Sequence, residues 1–188
     1  VTDSVTAAYG SGFGDNSIRS ILQTAVTAAN VSVFDRSQRD PDLRGMGTTI
    51  VACIVCDGIA HIVHAGDSRA YHVTAEGIEQ MTKDHSVVQL LVDRGEITQD
   101  EARFHPKKHF ITRALGVMSI IDLDYCEFAL NEGEAIIICT DGLSNYFTKG
   151  ELLDMIKSAG YGKCVDKLIN AAKKAGGADN VTVVCITR

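Results

Sequence analysis

The chain has 188 residues, of which 45% are hydrophobic and 22% charged, with a formal net charge of −6, the makeup of an ordinary globular domain. That balance excludes the concentrated basic face that nucleic-acid binding requires, and no apolar run approaches the roughly 18–20 residues of a membrane-spanning helix. A single compact domain over residues 1–188 is expected. The chain opens at Val1 with neither an initiator Met nor a recognisable signal peptide, so an upstream segment is expected to precede it.

Residues 1–9 read as the tail of a helix, and Gly10-Ser11-Gly12-Phe13-Gly14 as a loop. Ile18, Ile21, Leu22, Ala25, Val26, Ala29 and Val33 then recur at the three- and four-residue spacing of one helix face, predicting a helix over 17–36. Asn16 stands in its N-cap position.

From Gly47 the period changes. Residues 48–56 are rich in β-branched side chains and stop at Asp57-Gly58, a strong hairpin signal. Residues 59–65 form the returning strand, Gly66-Asp67-Ser68 a second turn, 70–74 a third strand and Glu76-Gly77 a third turn. Short strands in succession predict an antiparallel meander, not a parallel nucleotide-binding sheet. Short helices follow over 86–94 and 98–103, the second opening with the capping-box sequence Thr98-Gln99-Asp100-Glu101. Strands are predicted at 110–115, 122–130 and 135–139, helices at 149–158 and 163–174, and a closing strand at 180–187. The class is α+β.

Five of the six cysteines (Cys53, Cys56, Cys126, Cys139 and Cys185, but not Cys164) fall in these strands, where Cys behaves as a small hydrophobe. Cys53-x-x-Cys56 has a metal or redox spacing, but within a strand positions three apart face opposite ways. Reduced thiols point to a cytoplasmic protein.

Three aspartates sit where strands hand over to loops: Asp84 before the first short helix, Asp141 after the apolar run 135–139, and Asp179 before the last strand. An acid at the end of a buried strand is held rigidly and suits a hard cation such as magnesium or manganese. Each has an ordinary reading as well, Asp84 and Asp179 as caps and Asp141-Gly142 as a turn.

The motifs Gly47-Thr48-Thr49, Gly66-Asp67-Ser68-Arg69-Ala70-Tyr71 and Thr82-Lys83-Asp84-His85-Ser86 occur in that order. They are followed by Leu91-Val92-Asp93-Arg94-Gly95-Glu96-Ile97-Thr98, His105-Pro106, Thr112-Arg113-Ala114-Leu115-Gly116, Thr140-Asp141-Gly142-Leu143 and Gly177-Ala178-Asp179-Asn180-Val181-Thr182. On these stretches the chain resembles the PPM family of metal-dependent Ser/Thr protein phosphatases, the type 2C phosphatases, in their compact bacterial form. The resemblance implies a four-layer αββα sandwich of two antiparallel sheets flanked by helices, with N-terminal strands missing. It implies a binuclear Mg²⁺ or Mn²⁺ centre ligated by Asp141 and Asp179, and a weaker third ion at Asp84 with Asp141, beside a flap over about 86–109. A metal-activated water would hydrolyse phosphoserine or phosphothreonine in a phosphorylated protein, a target of a Ser/Thr kinase. No Cys nucleophile is expected.

Among the other motif residues, Asp67 is expected to hydrogen-bond locally in its turn, His85 and His105 to be polar surface residues, and Arg113 to pair with a carboxylate. Nothing before Gly47 matches the family's phosphate-binding Arg, early acid or Asp-Gly-x-Gly-Gly stretch. The chain therefore reads as the C-terminal part of a catalytic domain, inactive or weak alone, with exposed sheet edges able to self-associate. The competing reading is a catalytically inactive, partner-binding phosphatase-like module. A relative acting on a phosphorylated anti-sigma antagonist would share the same metal chemistry.

Overall fold

A computed structural model describes residues 1–10 and 17–188. The predicted cap at Asn16 and most of the glycine-rich loop lie outside the described residues. Helix α1 spans Thr2–Gly10 and α2 spans Ile18–Arg39. Ser17 is the cap of α2, its hydroxyl accepting from the Ser20 amide. The helix runs three residues past its predicted end. Arg36 and Arg39 suit its C-terminal dipole, and no breaker intervenes before Pro41, which opens a short 3₁₀ turn.

Strands β1 (Ile50–Cys56), β2 (Ile59–Ala65) and β5 (Asp124–Ala129) form one antiparallel sheet in the order β1-β2-β5. Strands β3 (Arg69–Val73), β4 (Ile78–Gln80), β6 (Ala135–Cys139) and β7 (Val183–Thr187) form the other, in the order β4-β3-β6-β7. The expected meander is therefore divided. Asp57 (φ 50°) and Gly58 (φ 78°) both adopt the left-handed conformation of a tight hairpin turn, so β1 and β2 pair along their full length. The connection at 66–68 instead carries the chain from one sheet to the other.

Side-chain alternation explains the layers. Val51, Cys53, Ala60, Ile62 and Cys126 from the first sheet meet Ala70, Ile136, Ile138 and Ile186 from the second. The opposite face of the first sheet, with Ile50, Ala52, Val63 and Ala65, packs on Leu22 and Val26 of α2. The opposite face of the second, with Tyr71, Val73, Ile137 and Cys139, packs on helices α6 (Lys149–Ala159) and α7 (Tyr161–Lys174) through Leu152, Ile156, Cys164 and Leu168. The result is the four-layer αββα sandwich.

Alternation also separates the cysteine pair. Cys53 packs between the sheets and Cys56 does not. Burial pushes the Cys53 thiol up to about 11, as expected of an inert core residue.

Two departures from the predicted elements stand out. Residues 110–115 form no strand, because Ile111 bridges Ser86 while Leu115 bridges Thr48, two partners that belong to no common ladder. An unpredicted helical turn, α5 (Asp141–Ser144), follows β6 directly. Asn30, buried on α2, accepts from the Gly116 amide at 2.8 Å and donates to Met118 O and Ser119 O, pinning that loop to the helix. Helices α3 (Val87–Asp93) and α4 (Gln99–Phe104) lie between β4 and that segment. Helices α4 and α6 each start with a full capping box, Thr98 with Glu101 and Thr148 with Glu151. No helix among the described residues is long and apolar enough to cross a membrane.

Ile136 is fully buried between the sheets. Ile136→Ala is expected to destabilise the chain by about 3 kcal/mol, lost burial plus cavity, measured by urea denaturation.

Candidate metal centre

Strand register brings the acids together. Arg69 at the start of β3 pairs with Cys139 at the end of β6, and Cys139 pairs with Val183 at the start of β7. Residues just before β3, just after β6 and just before β7 must therefore share one rim of the sandwich, and these stretches contain Asp67, Asp141 and Asp179.

The rim is tightly joined. The Thr140 amide donates to Thr182 O at 3.2 Å, and the Thr182 amide donates to the Thr140 hydroxyl at 3.1 Å. A Cβ on Gly142 would lie 2.2 Å from Asn180 O, so only glycine lets the backbone after Asp141 rest against the backbone after Asp179. Asp141 is half-buried at the first turn of α5 and accepts from Asn145 Nδ2 at 3.1 Å. Asp179 is exposed, its carboxylate accepting from the Asn180 amide at 2.7 Å.

Asp67, Asp84 and Asp141 line one cavity of about 30 Å³, with Ser144 and Asn145 beside them and Gln89, Gln99, Arg103 and Lys108 across from them. That volume holds roughly two or three water-sized spheres. Asp179 stands at the same rim outside this lining.

Asp84 is held by Arg69 in a fork. Nε donates to Oδ1 at 2.9 Å and to Oδ2 at 3.1 Å, and Nη2 donates to Oδ2 at 2.6 Å. Gln80 Nε2 adds a further bond to Oδ1 at 3.0 Å. Three N–H hydrogens thus make four contacts to this carboxylate, the Nε hydrogen being shared, so a cation at Asp84 competes with the fork.

Asp67 belongs to the cavity, not merely to its turn. Burial, then the charges of Asp141 and Asp84, push its carboxyl up to about 6. Its position between two sheets, where the chain crosses over, was the signal; the reading of 66–68 as an ordinary hairpin turn concealed it. Three carboxylates lining one small cavity supply the oxygen ligands that divalent ions take.

His85 is buried, contrary to its expected surface position. Its Nδ1 accepts from the Gly66 amide at 3.1 Å, which leaves the proton of the neutral ring on Nε2, 3.3 Å from Asp124 Oδ2. Burial, the first cause, lowers its pKa. His64 stacks on it at 4.7 Å and faces Lys83 O through Nε2 at 2.9 Å. Arg113 pairs with Asp124 at 2.7 Å, as its strand-like context predicted of a carboxylate partner. Donor atoms of His64, His85 and Asp124 lie within 4.8 Å of one another. Both nitrogens of His85 are already committed, so this group ties β2, the Asp84 loop and β5 together.

The pH dependence follows from Asp67. An acid whose folded pKa lies above its unfolded value of about 4 contributes stability below that value, and the contribution is lost as pH rises through the folded value of about 6. Without added divalent ions, the wild-type chain is therefore expected to lose more stability than Asp67→Asn between pH 4 and 7, compared by urea unfolding midpoints.

The sequence model of the Protein phosphatase 2C family matches residues 3–181. The serine/threonine phosphatase stp of Listeria monocytogenes serotype 4b (strain F2365) is 34% identical over 172 residues, covering 91% of this chain and 68% of that protein. The crystal structure of the serine/threonine phosphatase Stp1 from Staphylococcus aureus superposes with a TM-score of 0.87 at 29% identity, covering 100% of this chain and 77% of that one. The catalytic domain of the serine/threonine protein phosphatase PstP, solved in complex with two manganese ions, gives a TM-score of 0.81 at 33% identity over 98% of this chain and 78% of that one. With the predicted sandwich and the predicted motif order both present, the chain belongs to the protein phosphatase 2C family.

Proposed function

We propose that the chain carries part of a metal-dependent protein serine/threonine phosphatase centre in which Asp141 and Asp179 ligate Mg²⁺ or Mn²⁺. Asp84 would take a weaker third ion once Arg69 releases it. The carrying observation is the register of β3, β6 and β7, which delivers acids from distant stretches of chain to one rim. The two manganese ions of the PstP relative support the same chemistry here. Bound ions would supply an activated water and offset charge on the phosphoryl oxygens.

The chain's own groups hold that arrangement in place. The Asn145 amide orients Asp141, and the Gly142–Asn180 contact keeps the two ligand loops together. Arg69 steadies Asp84 until a cation competes for it. The substrate is a phosphorylated protein, the product of a Ser/Thr kinase, in the cytoplasm.

Mn²⁺ is expected to raise the melting temperature of the wild-type chain and not that of Asp141→Asn. Turnover of p-nitrophenyl phosphate is expected to be low, and absent in Asp141→Asn. No Mn²⁺-dependent shift in the wild type would overturn the metal centre, whereas a shift with no turnover would favour the partner-binding module. Gly142→Ala, which forces the two loops apart, is expected to weaken Mn²⁺ binding at least tenfold, read by calorimetric titration.

A further inference from the structure

A second recess adjoins the acid-lined cavity. It has a volume of about 460 Å³, within the span of roughly 300–1,000 Å³ typical of ligand sites. Arg69, Gln89, Gln99, Arg103 and Ser144 line both spaces, so they share a wall beneath helices α3 and α4.

The two spaces differ in charge balance. The cavity sets Asp67, Asp84 and Asp141 against Arg69, Arg103 and Lys108. The recess is lined by Arg69, Lys83, Arg103 and Lys149, with Asp100 as the one lining acid among the described residues. Arg69 is neutralised by Asp84. Lys83 pairs with Asp93 at 2.8 Å, with side chains 60% and 34% exposed, a contact weak enough to exchange. Arg103 donates to Tyr146 O at 3.3 Å and forms no ion pair among the described residues, although Glu151 feels its charge. Lys149 is exposed and has no ion pair among the described residues.

We propose that this recess is the docking subsite for substrate residues flanking the phosphorylated side chain, and that it selects acidic ones. The proposal rests on the phosphatase reading of the adjoining cavity. A phosphorylated segment rich in Asp or Glu would be repelled by the carboxylate rim alone. The recess adds Lys149 and the exchangeable Lys83 beside the shared Arg103, so the phosphoryl group and the acidic flank each meet opposite charge. Gln99, which lines both spaces, supplies a neutral hydrogen-bonding group on the shared wall.

The test uses the chain with Mn²⁺ and fluorescein-labelled phosphothreonine peptides flanked by Glu, Gln or Lys, followed by anisotropy. The Glu peptide is expected to bind at least fivefold tighter than the Gln peptide. Lys149→Glu should remove that preference and improve binding of the Lys peptide. This charge swap is something a merely structural role of Lys149 would not produce. Equal affinities for the Glu and Gln peptides in the wild type, or an unchanged preference in both Lys149→Glu and Arg103→Glu, would overturn the subsite. The Mn²⁺ melting shift on the same samples reports on the metal centre separately: its absence with an intact Glu preference would overturn the phosphatase reading and leave an acidic-peptide site.

Discussion

Strand β6 fixes the geometry on which the site depends. It is paired on both edges, to β3 and to β7, and each pairing is antiparallel with the exit of β6 opposite the entry of its neighbour. Its alternate residues are committed to two different cores, Ile136 and Ile138 between the sheets, Ala135, Ile137 and Cys139 against the helices. A slip of one residue would exchange those faces. The same constraint that keeps apolar groups out of water thus holds Asp141 level with the chain entering β3 and β7.

Convergence of carboxylates has an electrostatic consequence the fold only partly relieves. Arg69 and Gln80 together hold Asp84, and Asn145 gives Asp141 a neutral donor. For Asp67 a backbone bond and the charge of Arg69 do not offset burial and the charges of Asp141 and Asp84, and its carboxyl stays raised.

Much of this was legible in the sequence because the signals were local. The helix face of α2, the turn at Asp57-Gly58 and the capping box at Thr98 each depend on neighbours within a few residues. The motif order identified the family and the sandwich. What failed depended on distant partners. Which sheet β3 would join is decided by its pairing with β6, more than sixty residues onward. The segment 110–115 has strand-like composition yet finds two unrelated bridging partners. His85 was misjudged for the same reason, being buried against His64 and Asp124; Asp67 keeps the local backbone bond expected of its turn, and only its exposure to the charges of Asp141 and Asp84 depended on distant partners.

The two capping boxes sort charge as well as starting helices. Glu101 and Glu151 turn back onto the amides of Thr98 and Thr148, with Oε2 at 2.7 Å in each case, and those backbone bonds hold both carboxyls below the usual range. Each acid is spent within its own first turn. Of the acids in those first turns only Asp100 reaches the basic recess, where the same helices present Arg103 and Lys149, so a device that begins a helix also shapes the charge of the surface beside it.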